Sequence, residues 1–146
     1  MQTRISDEYI SNRAWFRNVL AEENVILRGI SALEYLQLFT GYAKESYIDV
    51  YARSKGKYEN IDYCIVDSFD NIDFFSDGNI LCSSATQAIS DVLSEQEDMD
   101  EPALVEALSR YYYAHNMSFE GLDIKVNPQK FEELKEWAIE FYGDNL

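Results

Sequence analysis

Hydrophobic positions change their period along this chain, and each change marks a predicted element. Near the start, Tyr9, Ile10, Phe16, Val19 and Leu20 recur at roughly helical spacing behind Ser6 and Asp7, either of which can cap a helix. Val25-Ile26-Leu27 is a short apolar run, β-prone or simply buried. Ser31 precedes Glu34 by three residues, a capping-box spacing. Ala32, Leu33, Leu36 and Phe39 then form a core stripe that should end at Gly41.

The period then drops to two. Tyr47 to Ala52 alternates Ile48 and Val50 with Asp49, and Ile61 to Val66 reads as its return strand after a turn at Ser54 to Lys57. Ile72 to Phe75 and Asn79 to Cys82 flank Ser76-Asp77-Gly78 as a second hairpin. Ser84 stands three residues before Gln87, again a capping box, in which the Gln side chain should reach back to the cap. Ala85, Ala88, Ile89, Val92 and Leu93 return to helical spacing behind it.

The segment Ser94 to Glu101 is too charged for a core and reads as an acidic linker. Pro102 opens the next helix, whose apolar side is Ala103, Leu104, Ala107, Leu108 and Tyr111. Leu122 to Val126 alternates as an edge strand or is loop. Asn127-Pro128 starts a last helix, with Phe131, Leu134, Ala138, Phe141 and Tyr142 down one face until Gly143. The expectation is one α+β domain over 1–146, a small antiparallel or mixed sheet of about four strands packed with N- and C-terminal helices. Within it, 1–43 is helical, 44–82 strand-rich, and 83–146 helical and acidic.

Charge sharpens that division. Residues 1–57 carry a net charge of +1 and residues 58–146 a net of −16, which makes the −15 of the whole chain. An acidic surface of this kind repels phosphate backbones and suits a basic partner, or serves only to keep the protein in solution. The two cysteines, Cys64 and Cys82, lie in apolar strand-like runs without a CxxC spacing and read as two buried thiols in a reducing compartment. The first ten residues carry acids rather than an apolar signal core, and no run reaches transmembrane length. A cytoplasmic protein that contacts no membrane is expected.

Candidate chemistry is sparse. His115, the single histidine, sits near a helix end among aromatic residues and reads as a cationic C-terminal cap or a satisfied semi-buried residue rather than a catalytic base. One histidine and no thiol pair make a zinc site an unsuitable reading, and neither a glycine-rich phosphate loop nor a GxSxG elbow is present. No cofactor is expected. Asp49, with Lys55, Lys57 and Glu59 beyond the turn, suggests the carboxylate-and-lysine chemistry of a metal-dependent nuclease. Arg13, Arg17, Arg28, Arg53, Lys55 and Lys57 are the residues for nucleic acid. Glu95, Glu97, Asp98, Asp100 and Glu101 offer an acidic surface to a protein partner, with Tyr111, Tyr112 and Tyr113 as anchors.

The succession VILRGISALEYLQL (25–38), YIDVYA (47–52), GNILCSSATQAISDVL (78–93) and PALVEALSRYY (102–112) resembles the core of AbiEi-type antitoxins, partners in bacterial abortive-infection toxin–antitoxin systems. Ser31-Ala32-Leu33 matches that family's first helix and Tyr47 to Tyr51 its first strand. Gly78 with Ser83, Ser84 and Asp91 matches the hairpin and helix that come next. The match covers about two thirds of the chain, and its motifs are structural rather than catalytic. It begins at Val25, with fewer residues ahead of it than the winged helix-turn-helix those antitoxins usually carry. Gln87-Ala88 stands where they tend to have a basic residue and Thr, and the C-terminal part is acidic where DNA-binding relatives are basic. The resemblance therefore implies a non-catalytic protein that neutralises or regulates a cognate toxin, such as a nucleotidyltransferase. A transcriptional regulator and a metal-dependent nuclease are the alternatives.

Overall fold

Val25-Ile26-Leu27 forms the middle strand of the sheet. The structure is a computed structural model that describes residues 24–40, 48–59 and 61–144, without the side chains of 142–144; the helix expected over 6–20, with Arg13 and Arg17, lies outside the described residues, as does Tyr47. The strands are β1 (Val25–Leu27), β2 (Ile48–Ala52), β3 (Ile61–Ile65), β4 (Phe74–Asp77) and β5 (Ile80–Ser83). The helices are α1 (Gly29–Tyr35), α2 (Ala85–Leu93), α3 (Glu101–Ala114) and α4 (Pro128–Asp144), with a 3-10 turn at Gln96–Asp98. The class is α+β with a mixed sheet.

The sheet has five strands rather than four, in the order β3-β2-β1-β5-β4. β1 is antiparallel to β2 and parallel to β5, and β4 and β5 form the second hairpin, although Ser76 and Asp77, expected in its turn, belong to β4 and the turn is Gly78-Asn79. β3 departs from expectation. It lies parallel to β2, with Ile48 beside Ile61, and is therefore not a hairpin return. The 53–59 segment folds back along β3 instead: the Tyr58 N–H donates to the Tyr63 hydroxyl at 3.4 Å, and Gly56 lies against the same ring, where a Cβ would collide.

Alternation sends Val25, Leu27, Ile48, Val50, Ala52, Ile61, Ile80 and Cys82 into one core with Ala32 and Leu33 of α1 and Ala88, Ile89, Val92 and Leu93 of α2. The same core continues through Leu104 and Leu108 of α3 to Phe131, Leu134 and Ala138 of α4. Among the described residues the predicted apolar stripes are the buried faces, except that Leu36 and Ala85 are half-buried and Phe141 is exposed. Leu122 to Val126 forms no strand. Cys82 is buried and Cys64 only half-buried, and neither is in a disulfide.

Helix ends account for the remaining corrections. Ser84 caps α2 by accepting from the Gln87 N–H at 3.1 Å, but the Gln87 side chain does not reach back. Its Nε2 donates to Asp91 Oδ1 at 3.0 Å and its Oε1 accepts from the Asp73 N–H at 3.0 Å, so the residue ties α2 to the start of β4. Ser31 caps nothing. Arg28 occupies the N-cap of α1, and Ser31 Oγ accepts from the Asp49 N–H of β2 at 2.8 Å. α1 ends at Tyr35, six residues before Gly41, where Gln37 takes a left-handed backbone (φ 63°).

Candidate functional site

Arg28 leaves the C-terminal end of β1 beside Asp49, its neighbour on antiparallel β2. The Arg28 N–H donates to the Asp49 carbonyl at 3.0 Å, which fixes the two backbones level. The side chains then meet: Arg28 Nη1 donates to Asp49 Oδ2 at 3.0 Å and to Oδ1 at 3.2 Å. The guanidinium lies over the Tyr51 ring, 4.8 Å from its centroid, two residues along β2. On its other side Arg28 Nε faces Asp91 Oδ2 of α2 at 3.9 Å, an ion pair too long for a hydrogen bond. Neither of those two atoms has another hydrogen-bond partner, and both are out of water.

Gly29 makes this closeness possible. Its backbone is left-handed (φ +50°), and a Cβ there would stand 3.0 Å from Asp49 Oδ2.

One guanidinium thus serves two carboxylates in a largely dry place. Burial opposes the charge on Arg28, but Asp49, Tyr51 and Asp91 together outweigh it and hold the group firmly protonated. For Asp49 the balance is reversed: burial is the largest influence, attraction to Arg28 only partly offsets it, and its pKa is pushed up to about 6. Asp91 is raised too, by burial against the pull of Tyr51, Arg28 and Gln87. Burial likewise pushes the Tyr51 phenol up to about 12. Chemically the cluster is a clamp. It joins β1, β2 and α2, and Arg28 is already engaged in it.

The nuclease residues do not assemble around a metal. Asp49 is turned to Arg28, while Glu59 lies on the exposed 53–59 segment and lines an open depression of about 280 Å³ with Lys55, Ile61, Asp62, Tyr63 and Ile65. Among the described residues no group of three or more His, Cys, Asp or Glu side chains is placed to hold a metal ion. Of the nucleic-acid candidates, Arg28 is consumed by the clamp. Arg53, Lys55 and Lys57 are exposed together on the β2–β3 connection, with Lys57 over the Tyr58 ring.

The partner candidates divide between structural and open positions. Asp100 is the N-cap of α3, accepting from the Ala103 N–H at 3.1 Å, and Glu101 pairs with Lys130 of α4 at 2.5 Å. Glu95, Glu97 and Asp98 are exposed. Tyr111 is core and not an open anchor: it is buried, its hydroxyl donates to the Glu120 carbonyl, and its ring stacks on His115 with centroids 3.9 Å apart. His115 is the C-cap of α3, as the sequence suggests. Tyr112 packs against Tyr113 and Phe119, and Tyr113 donates to the Ile139 carbonyl of α4 at 2.9 Å. Together the three rings hold α3 to the 115–127 loop and to α4, and Tyr112 and Tyr113 keep part of their surface in water.

Sequence reading missed the clamp as a unit, because Tyr51, Gln87 and Asp91 lie far from Arg28 in the chain. The i,i+4 spacing of Gln87 and Asp91 on an otherwise apolar helix was the available signal. Among the described residues no helix is long and apolar enough to cross a membrane. No protein-family model matches the chain, and no curated protein matches it either.

Proposed function

We propose that this protein is a non-catalytic, antitoxin-like binding protein that neutralises or regulates a cognate toxin through protein–protein contact. The observation that carries the reading is the Arg28–Asp49–Asp91 clamp. It employs Asp49 and Asp91, two buried carboxylates with raised pKa values, to hold the sheet to α2, so these candidates for acid–base or metal chemistry have a structural task. Over 25–93 the chain runs strand, helix, two strands, hairpin, helix, and the segments quoted for the resemblance to AbiEi-type antitoxins fall on β1 with α1, on β2, and on β5 with α2. The acidic C-terminal part favours a basic protein surface over a phosphate backbone as the contact.

The test is co-expression in a bacterial host with the product of the gene adjacent to its own. The reading expects that the neighbour alone arrests growth and that this chain restores it in proportion to its expression, with the two proteins co-purifying. Arrest that the chain does not relieve, with no co-purification, overturns it. A single observation favours the transcriptional reading, the exposed trio Arg53, Lys55 and Lys57. Retention on the protein's own upstream DNA at low salt, lost in Lys55→Ala/Lys57→Ala, is what that alternative requires.

A further inference from the structure

β4 is the outermost strand of the sheet, and among the described residues nothing pairs with its far side. Its hairpin register fixes which backbone groups face outward. Asp77 and Ile80 flank the two-residue turn, and the Ser84 N–H donates to the Asp73 carbonyl at 2.9 Å, so residues 73, 75 and 77 spend their backbone groups on β5. The N–H and C=O of Phe74 and Ser76 therefore point away from the sheet. Apolar surface accompanies them: Phe74 and Phe75 are 36% and 39% exposed, and Phe69 packs edge-on against Phe74 with centroids 6.3 Å apart. An edge strand presents unpaired N–H and C=O groups that another strand can meet.

Charge decides what can pair there. No Lys or Arg occurs between Lys57 and Arg110, while Asp67, Asp70 and Asp73 precede β4 in the chain and Asp77 ends it; Asp73 and Asp77 also accept from the Ser84 and Tyr35 hydroxyls. A second copy is disfavoured by the register itself. If two β4 strands met antiparallel through Phe74 and Ser76, Asp73 of each would stand directly opposite Asp77 of the other, a like-charge pairing that opposes association. A partner with Lys or Arg at those two positions turns the same geometry into two favourable cross-strand pairs.

We propose that the outer edge of β4 takes up an extended basic segment of a partner protein as a sixth, antiparallel strand. The segment places apolar residues against Phe74 and Phe75 and basic residues opposite Asp73 and Asp77. This deepens the binding reading above and rests on it only for the partner's identity as a toxin.

The probe is an acetylated, amidated peptide with the core Lys-Thr-Val-Val-Lys, titrated into the full chain at low salt and followed by backbone amide NMR. Saturable shifts confined to 73–77 and their β5 neighbours are expected. They should vanish for the Glu-Thr-Val-Val-Glu twin and for a peptide N-methylated at Thr and at the second Val, whose N–H groups face Phe74 and Ser76. In the protein, Ser76→Pro removes one outward N–H without touching the β4–β5 ladder and should weaken binding at least tenfold. Phe74→Thr, which keeps every backbone group, should weaken it several-fold and guards against misfolding of the proline variant. Equal binding of the Lys and Glu peptides, or shifts elsewhere on the chain, overturns the proposal. So does a dimer of the protein by sedimentation that Ser76→Pro abolishes, since the occupant is then a second copy. Should a toxin be neutralised equally by wild type and Ser76→Pro, this edge is not the contact and the antitoxin reading stands. Should no toxin be neutralised while the peptide binds as described, that reading falls and the edge remains.

Discussion

Arg28 Nη1 stands 3.0 Å from Asp49 Oδ2, and the same guanidinium faces Asp91 on its other side at 3.9 Å. A single cation therefore holds together the first strand, the second strand and the helix behind the second hairpin. Burial of both carboxylates outweighs their attraction to it, which is why both are harder to ionise than an exposed aspartate.

Replacing Arg28 by Met keeps the bulk and removes the charge. Asp49 and Asp91, each mostly buried, are then left without their shared cation. Breaking a buried pair from one side costs about 3 kcal/mol. Urea unfolding at neutral pH should show that loss for Arg28→Met, and the double variant Arg28→Met/Asp49→Leu should recover a good part of it. A single variant as stable as wild type would mean that the clamp contributes nothing.

The raised pKa of Asp49 gives stability a pH dependence of definite sign. Its folded value, about 6, lies above the unfolded value of 3.8, so the folded protein binds the extra proton between those limits. The contribution of Asp49 is therefore greatest at low pH and is lost as pH rises from about 4 through 6, a change on the order of 2 kcal/mol. The relief of charge repulsion on this acidic chain overlaps the same window, so the informative quantity is the difference between wild type and Asp49→Asn. Relative to the variant, wild type should lose stability from pH 4 to pH 6.5. A difference that does not change with pH would show that Asp49 titrates normally.

How much of this was legible beforehand depended on the range of the interaction. The β4–β5 hairpin and the Ser84 cap rest on residues a few positions apart, so turn and cap chemistry displayed them. The parallel placement of β3 was hidden, because a short connection between two strands ordinarily makes a hairpin. The tertiary contact of Gly56 and Tyr58 with Tyr63 accompanies the turn of the segment back along β3. Ser31 misled for a related reason: its hydroxyl fits a capping box locally, but the Asp49 N–H of β2 claims it. Arg28 looked like a basic surface residue until β2 and α2 brought Asp49 and Asp91 to it. Likewise Tyr111 to Tyr113 read as anchors for a partner, whereas the loop after α3 and helix α4 supply the partners of Tyr111 and Tyr113.

Gly29 offers a separate check on the clamp. Alanine there must adopt a left-handed backbone and bring its Cβ to 3.0 Å from Asp49 Oδ2, so two costs combine at one residue. The backbone strain alone is about 1 kcal/mol or more. Gly29→Ala should be destabilised by that amount, and by less in the Asp49→Ala background, where the oxygen is gone. Equal losses in both backgrounds, measured as a double-mutant cycle, would assign the whole cost to φ.

Ser84 joins two elements through one hydroxyl. Its oxygen accepts from the Gln87 N–H, capping α2, and its proton goes to Asp73 Oδ2 at 2.7 Å, just before β4. Ser84→Ala removes both contacts, and the cap by itself contributes about 1 kcal/mol. Ser84→Gly restores some cap compatibility without restoring the bond to Asp73. The two substitutions should therefore separate: alanine lowers global stability by about 1–2 kcal/mol, glycine by less, and both should speed amide hydrogen exchange in β4. That last effect follows from position, since β4 is an edge strand that leans on β5 and on the Ser84 and Gln87 contacts with Asp73. Exchange that quickens across α2 but not in β4 would confine the role of Ser84 to the helix.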